Sequence, residues 1–370
     1  RRAATTDGNA HAPSRPPRRA PRAAPCRNTM AVSLAAVTVT NATTSSALGP
    51  SSCALGPHAT GTQSAGHLCN ASFASATIYY PTSDGMELLP SIVMVGGSGC
   101  GEQALAAWGP FYASHGVVAM TIGTPGPWKD QPDDRCRALL DASLALQSEH
   151  ERAGSVLHGR LDVSRRAVQG YSLGGGGAQM AAMSDQTLKC AIALCPHDGV
   201  EWWPTARTLS FPTEPSSSVP VLFVCGNRDA EAPAQTQAWS HYNKTGAPKL
   251  IFEVAGGDHY VANGPGGGTE SEAWGDGIQS ALAMINAVIS ETCGLLCCPY
   301  ALRCGGPCPY GTVNGPAVPR DHAPRGAIGG VALAWLRLFL LDDERARSQL
   351  AIRPDIASGF ESSGVAAMDR

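Results

Sequence analysis

The chain has no apolar run long enough to cross a bilayer. Its best candidate, Ala31-Val32-Ser33-Leu34-Ala35-Ala36-Val37, is short and diluted by small residues, against the roughly 20 apolar residues that a spanning helix needs. Its 13 cysteines include no C-x-x-C pair, and no histidine is interleaved with their densest group, so neither feature supports a zinc site. There is no G-x-G-x-x-G, and no Lys-Ser/Thr follows the glycine-rich stretch, which excludes the dinucleotide fingerprint and the P-loop. Charge of one sign is also lacking: 27 Lys and Arg against 30 Asp and Glu leave a formal net charge of −3, and no basic body for nucleic acid. Stable membrane insertion, a nucleic-acid partner and a metal are therefore not expected.

What charge there is lies unevenly. Residues 1–29 hold seven arginines among Ala and Pro against one acid, Asp7, a composition that cannot bury a core. The apolar run from Ala31 and the small residues Ser45-Ser46-Ala47 complete the order of a secretory signal, so residues 1–47 read as a basic leader with an export signal, an organellar transit peptide being the alternative. Sequons at Asn41, Asn70 and Asn243 agree with an extracellular protein. Cys293, Cys297, Cys298, Cys304 and Cys308 crowd one Gly/Pro-rich stretch, which suggests disulfide stapling in an oxidising compartment. Cys190, Cys195 and Cys225 sit in apolar runs and read as core residues.

Residues 48–74 read as a linker and 75–263 as the core. Within the core, Ala76–Tyr80, Ser91–Val95, Val117–Ile122, Ala167-Val168, Leu188–Leu194, Val219–Val224 and Lys249–Val254 are apolar, strand-like runs. Helical spacing alternates with them, at Leu105–His115, Arg135–Arg152, Ala178–Met183 and Pro233–Tyr242. Strands that are apolar throughout and alternate with helices predict an α/β protein, with a mostly parallel sheet covered on both faces. In such sheets chemistry gathers at the carboxyl ends of the strands. Residues 264–323 form a Cys-rich insertion with one helix, either a lid or an appendage, 324–346 a final helix, and 347–370 a tail.

One post-strand loop stands out, Gly170-Tyr171-Ser172-Leu173-Gly174. A serine between glycines at a strand-to-helix turn is the G-x-S-x-G elbow, where side chains beside the turn would clash and the helix N-terminus offers free N–H groups. A serine hydroxyl needs a base, and the base a carboxylate to orient it. Asp229 and His259 lie on two later post-strand loops, in the chain order Ser, Asp, His. Asp229 could instead cap a helix, and Glu231 or Asp258 could replace it. The oxyanion donors expected are the N–H groups of Leu173, after the serine, and Ser98, on the loop after Val95.

Tyr79-Tyr80-Pro81-Thr82, Trp108-Gly109-Pro110, Ala113–Gly116, Asp130-Gln131-Pro132, the elbow with its four glycines, Asp229–Pro233 and Gly257-Asp258-His259 together resemble the cutinase-like polyester hydrolases, which include poly(ethylene terephthalate) hydrolases. Gly329–Leu336 resembles that family's final helix. The resemblance implies an α/β-hydrolase fold, Ser172 as nucleophile, His259 as base, Asp229 as acid and no cofactor. The family's aromatic is replaced by Ser98, its Met by Leu173 and its Trp by His197, and these departures bear on substrate. Trp128, Trp202 and Trp203 are candidate replacement walls beside His197. The expected protein is a secreted, monomeric serine esterase that cleaves polyester or cutin-like esters through an acyl-enzyme. The alternative is a short-chain esterase without polymer activity.

Overall fold

The structure, a computed structural model, describes residues 53–83, 85, 87–199, 219–246, 248–267 and 326–365. The strands are β1 (Thr60–Ser64), β2 (Ser75–Pro81), β3 (Leu89–Val95), β4 (Val118–Gly123), β5 (Leu161–Tyr171), β6 (Cys190–Leu194), β7 (Val221–Gly226), β8 (Lys249–Val254) and β9 (Ala357–Ser363). The helices are α1 (Trp108–Ser114), α2 (Pro132–Gln147), α3 (Leu173–Ser184), α4 (Ala238–Asn243), α5 (Gly326–Phe339) and α6 (Ala346–Leu350). All belong to one unit, Thr44–Arg370.

Nine strands form one sheet in the order β1-β2-β4-β3-β5-β6-β7-β8-β9. The central six run parallel, from β4 to β8, and the outer pairings are antiparallel. This is the α/β-hydrolase architecture, and the expected mostly parallel sheet is present. Strand alternation divides the core in two. Ile92, Met94, Ile192, Leu194, Leu222, Val224, Leu250 and Phe252 face α1 and α5. Val93, Val95, Val168, Ala191, Ala193, Phe223 and Ile251 face α2, α3 and α4. Both faces of the inner strands are buried, which is why their sequences are apolar without alternation.

Helix α2 starts where its sequence tells it to. Pro132 occupies the first turn, Asp133 and Asp134 follow, and Asp134 accepts the Gln131 N–H at 3.1 Å in a reciprocal capping box. Helix α3 packs tightly on α2: a Cβ at Gly177 would come within 3.0 Å of the Arg135 Cβ and the Cys136 nitrogen.

Three segments depart from the sequence reading. Thr60–Ser64, inside the expected linker, is an edge strand paired with β2. Its residues, TGTQS, bury no continuous face, so periodicity could not reveal it. The expected tail contains α6 and β9, the latter paired with β8 and anchored by Phe360 against Phe252 at 5.8 Å. The helix expected from Pro233 begins at Ala238, because Thr236 and Gln237 first turn back onto the Pro233 carbonyl. The leader at 1–47, the cysteine cluster and most of the insertion at 264–323 lie outside the described residues. Cys190, Cys195 and Cys225 are buried core residues as expected.

Candidate active site

The β5–α3 turn is built by exclusion of side chains. A Cβ at Gly170 would lie 1.8 Å from the Gly174 carbonyl oxygen, and one at Gly174 would lie 2.6 Å from those of Val95 and Gly96. Between them Ser172 adopts φ 57° and ψ −121°, a conformation that costs a non-glycine residue about 1–3 kcal/mol. The strain is held by the Ser172 N–H on the Leu194 carbonyl at 2.9 Å and by the Ser172 carbonyl, which accepts from Gly175, Gly176 and His197. The outcome is a hydroxyl aimed away from the sheet at the start of a helix.

His259 follows β8 and Asp229 follows β7, so neighbouring parallel strands deliver both to the same edge. His259 Nε2 is 2.9 Å from Ser172 Oγ, and its Nδ1 is 2.7 Å from Asp229 Oδ2. With Nδ1–H donating to the carboxylate, Nε2 is free to accept the serine proton. All three residues are buried, at 4–7% exposure. The other Asp229 oxygen accepts the N–H groups of Glu231 at 3.0 Å and Ala232 at 2.7 Å, which fixes a turn and not a helix start, since the next helix begins at Ala238. Burial pushes the His259 pKa down, but the hydrogen bond and charge of Asp229, helped by Glu231 and Asp258, outweigh it and leave the pKa raised. Asp258 sits beside His259 in sequence, yet its side-chain Oδ1 accepts the Tyr260 N–H at 2.9 Å.

Ser98, Leu173, Trp128 and His197 lie around the serine. The β3–α1 loop abuts the serine closely enough that a Cβ at Gly97 would lie 2.5 Å from the Ser172 Cβ. Ser98, next in that loop, is exposed, and Leu173 opens α3. The Trp128 indole covers Gly99, whose Cβ would meet its ring at 2.6 Å, and is itself 60% exposed. The His197 N–H donates to the Ser172 carbonyl at 3.0 Å, and burial lowers the pKa of its imidazole, with His259 adding to the effect and Asp198 opposing it. Trp202 and Trp203 lie outside the described residues.

A model of the PET hydrolase-like family matches residues 36–272. The chain belongs to that family. Relatives of this PET hydrolase-like chain include Cutinase 2 of Thermobifida cellulosilytica, 36% identical over 207 residues, which are 55% of this chain and 72% of that protein. Cutinase cut1 of Thermobifida fusca is 36% identical over 207 residues, 55% of this chain and 59% of the relative. The bis(hydroxyethyl) terephthalate hydrolase of Streptomyces coelicolor is 32% identical over 210 residues, 56% of this chain and 62% of the relative.

Three residues around the site of this PET hydrolase-like protein escaped the sequence reading. Arg135, fully buried on α2, donates to the Gly96 carbonyl at 2.8 Å and the Pro127 carbonyl at 2.9 Å. It thereby joins the Ser98 loop to the Trp128 loop, with Gly99 N–H adding a 2.8 Å bond to Pro127. Burial brings its pKa down to about 10, against the pull of Cys100, Asp130 and Asp134. A lone arginine in a helix carries no signal of this kind in sequence. Tyr171 packs its ring 5.1 Å from that of His259. Cys195, at φ 41°, brings its thiol within 4.8 Å of the His259 and Asp229 ligand atoms, the one such trio among the described residues. Burial raises the thiol pKa well above its ordinary value, helped by Asp229, and Asp229 and His259 bond each other.

Proposed function

We propose that this chain is a serine carboxylic ester hydrolase acting on polyester or cutin-like esters through an acyl-enzyme. The observation that carries the reading is the continuous relay from Ser172 Oγ through His259 to Asp229, at 2.9 and 2.7 Å. In this reading His259 Nε2 takes the serine proton as Oγ attacks the ester carbonyl, and Asp229 stabilises the imidazolium that results. The carbonyl oxygen, negative in the tetrahedral intermediate, is received by the N–H groups of Leu173 and Ser98, each donor contributing about 3–4 kcal/mol to the transition state. The imidazolium then protonates the departing alcohol, water attacks the acyl-enzyme with the same base, and the acid leaves. No metal or cofactor enters.

The polymer substrate is supported by the names of the cutinase and terephthalate-ester relatives and by Trp128, an exposed indole against the oxyanion loop. His197, behind the serine, serves as the inner wall, and Trp202 and Trp203 remain candidates for the outer one. The enzyme acts as an extracellular monomer with no nucleic-acid partner. In favour of export, Asn70 and Asn243, the sequon residues within the described regions, are both exposed, and no helix among the described residues is long and apolar enough to cross a membrane. The domain reading of a basic leader, a hydrolase core and a Cys-rich insertion stands as part of this proposal.

Replacing Ser172 by Ala tests the assignment. Hydrolysis of a short-chain nitrophenyl ester and labelling by a fluorophosphonate should both vanish while the circular dichroism spectrum is unchanged. Persistent hydrolysis by the variant would sink the proposal. Soluble products from a polyester film, compared with rates on a ladder of acyl esters, distinguish a polyesterase from an esterase confined to small substrates.

A further inference from the structure

Glu231 stands two residues after Asp229, and the relay gives it no task. Its N–H is held by Asp229 Oδ1 at 3.0 Å, while its side chain reaches the opposite side of the imidazole. Glu231 Oε2 lies 3.7 Å from His259 Nε2, the nitrogen that faces Ser172, and Oε1 accepts from the Tyr260 hydroxyl at 3.3 Å. At 3.7 Å it makes no hydrogen bond to the ring, and Nε2 already has the serine. Its side chain is 51% exposed, so the charge stands at the mouth of the site and not in the relay.

We propose that Glu231 is a specificity determinant that makes the acyl site favour neutral and cationic esters and disfavour those bearing a carboxylate. The inference rests on the reading of Ser172 as an ester-cleaving nucleophile. Glu231 faces His259 and Tyr260 on the loop after β8, and its charge also bears on Tyr171 at the end of β5 and Cys100 on the β3–α1 loop. Tyr171 and Tyr260 both pack against the His259 ring, at 5.1 and 5.9 Å between centroids. Asp229 and Asp258 add charge of the same sign around His259, and His197, which bonds the Glu231 main chain, is held neutral by burial. A second carboxylate entering this half-open mouth is repelled across a few ångströms at reduced dielectric. Two consequences follow. Interior esters of a polymer are neutral and are cleaved in preference to esters next to a free-acid chain end. The acid released from the acyl-enzyme, which loses its proton to water at neutral pH, is expelled and inhibits weakly.

The test compares wild type with Glu231→Gln, which keeps an acceptor for Tyr260, on three esters of equal length: diethyl adipate, monoethyl adipate and ethyl 6-aminohexanoate. The kcat/KM ratio of monoethyl to diethyl adipate should rise about 5–10-fold in the variant, and the ratio of ethyl 6-aminohexanoate to diethyl adipate should fall. The inhibition constant of hexanoate should tighten in parallel. In wild type alone, about 1 M salt should raise the monoethyl to diethyl ratio, because an exposed charge is screened. Ratios within twofold of wild type, with hexanoate inhibition unchanged, would overturn the proposal while leaving the esterase reading intact. No hydrolysis of diethyl adipate by wild type would instead defeat the esterase reading and this inference with it.

Discussion

The Arg135 guanidinium, on a helix behind the sheet, donates to the Gly96 carbonyl at 2.8 Å and so ties down the loop that carries Ser98 and abuts Ser172. Its second bond, to Pro127 at 2.9 Å, fixes the loop of Trp128. One buried cation therefore sets two walls of the site. Lysine in this place has a single ammonium and cannot span both carbonyls. Arg135→Lys should reduce kcat on a short ester by about tenfold with a smaller change in KM, because an oxyanion donor displaced by a fraction of an ångström weakens the transition state more than the ground state. Thermal unfolding should report a loss of about 1–3 kcal/mol from the carbonyl left without its donor. Steady-state kinetics on the folded variant separates the two effects.

The raised pKa of His259 makes activity and stability respond oppositely to pH. As a base the imidazole must be neutral, so kcat/KM should climb as pH rises through a value above 6.5. The folded state binds this proton more tightly than the unfolded chain, so the stabilisation is fully present below the unfolded pKa, about 6.5, and is lost as pH rises through the raised folded one. Asp229→Asn removes the largest raising influence and leaves burial dominant. The acid limb of the kcat/KM profile should move to lower pH, and the rate at its plateau should fall by about 10³-fold or more.

Ser172 is strained at φ 57°, and the nucleophile itself is the reason the strain persists. Alanine keeps a Cβ in that conformation and glycine does not. Ser172→Gly should therefore unfold at higher temperature than Ser172→Ala, by about 1 kcal/mol once the greater freedom of unfolded glycine is counted. Both variants should be inactive. Equal stability of the two in urea titrations would mean that the elbow stores no strain.

At Gly170 the constraint is contact, since a Cβ there would lie 1.8 Å from the Gly174 carbonyl oxygen. Gly170→Ala must open the turn, and a loss of about 3 kcal/mol is expected, together with most of the activity. A urea midpoint within a few tenths molar of wild type would contradict this.

Trp128 is 60% exposed and adds little to the fold. Trp128→Ala should leave the melting temperature within about a degree, while product release from a polyester film falls about tenfold and turnover of a two-carbon ester changes little. Such a split would mark the indole as a surface for long substrates.

Much of the site was legible because its chemistry is carried by local signals. Ser172 lies in a glycine-flanked turn, Asp229 and His259 each follow an apolar strand, and their chain order matches one known way of assembling a relay. The inner strands were legible for a related reason: burial on both faces favours apolar residues at successive positions, as in Ile92–Val95 and Leu250–Phe252. The edge strands were not. Thr60–Ser64 and Ala357–Ser363 gain their place through main-chain pairing at the margin of the sheet, which asks little of side chains.

The sequence by itself determined the glycine-flanked turn that holds Ser172 and the post-strand positions of Asp229 and His259, because steric exclusion at Gly170 and Gly174 and the strand-to-loop pattern act over a few residues. The tertiary structure alone decided that Asp229 Oδ2, and not Glu231 or Asp258, faces His259 Nδ1. It alone decided that Arg135 ties two distant loops together, and that Glu231 lies on the Nε2 side of the imidazole. These are relations between side chains on separate strands and helices, set to within an ångström by how the sheet is packed, and no local pattern records them.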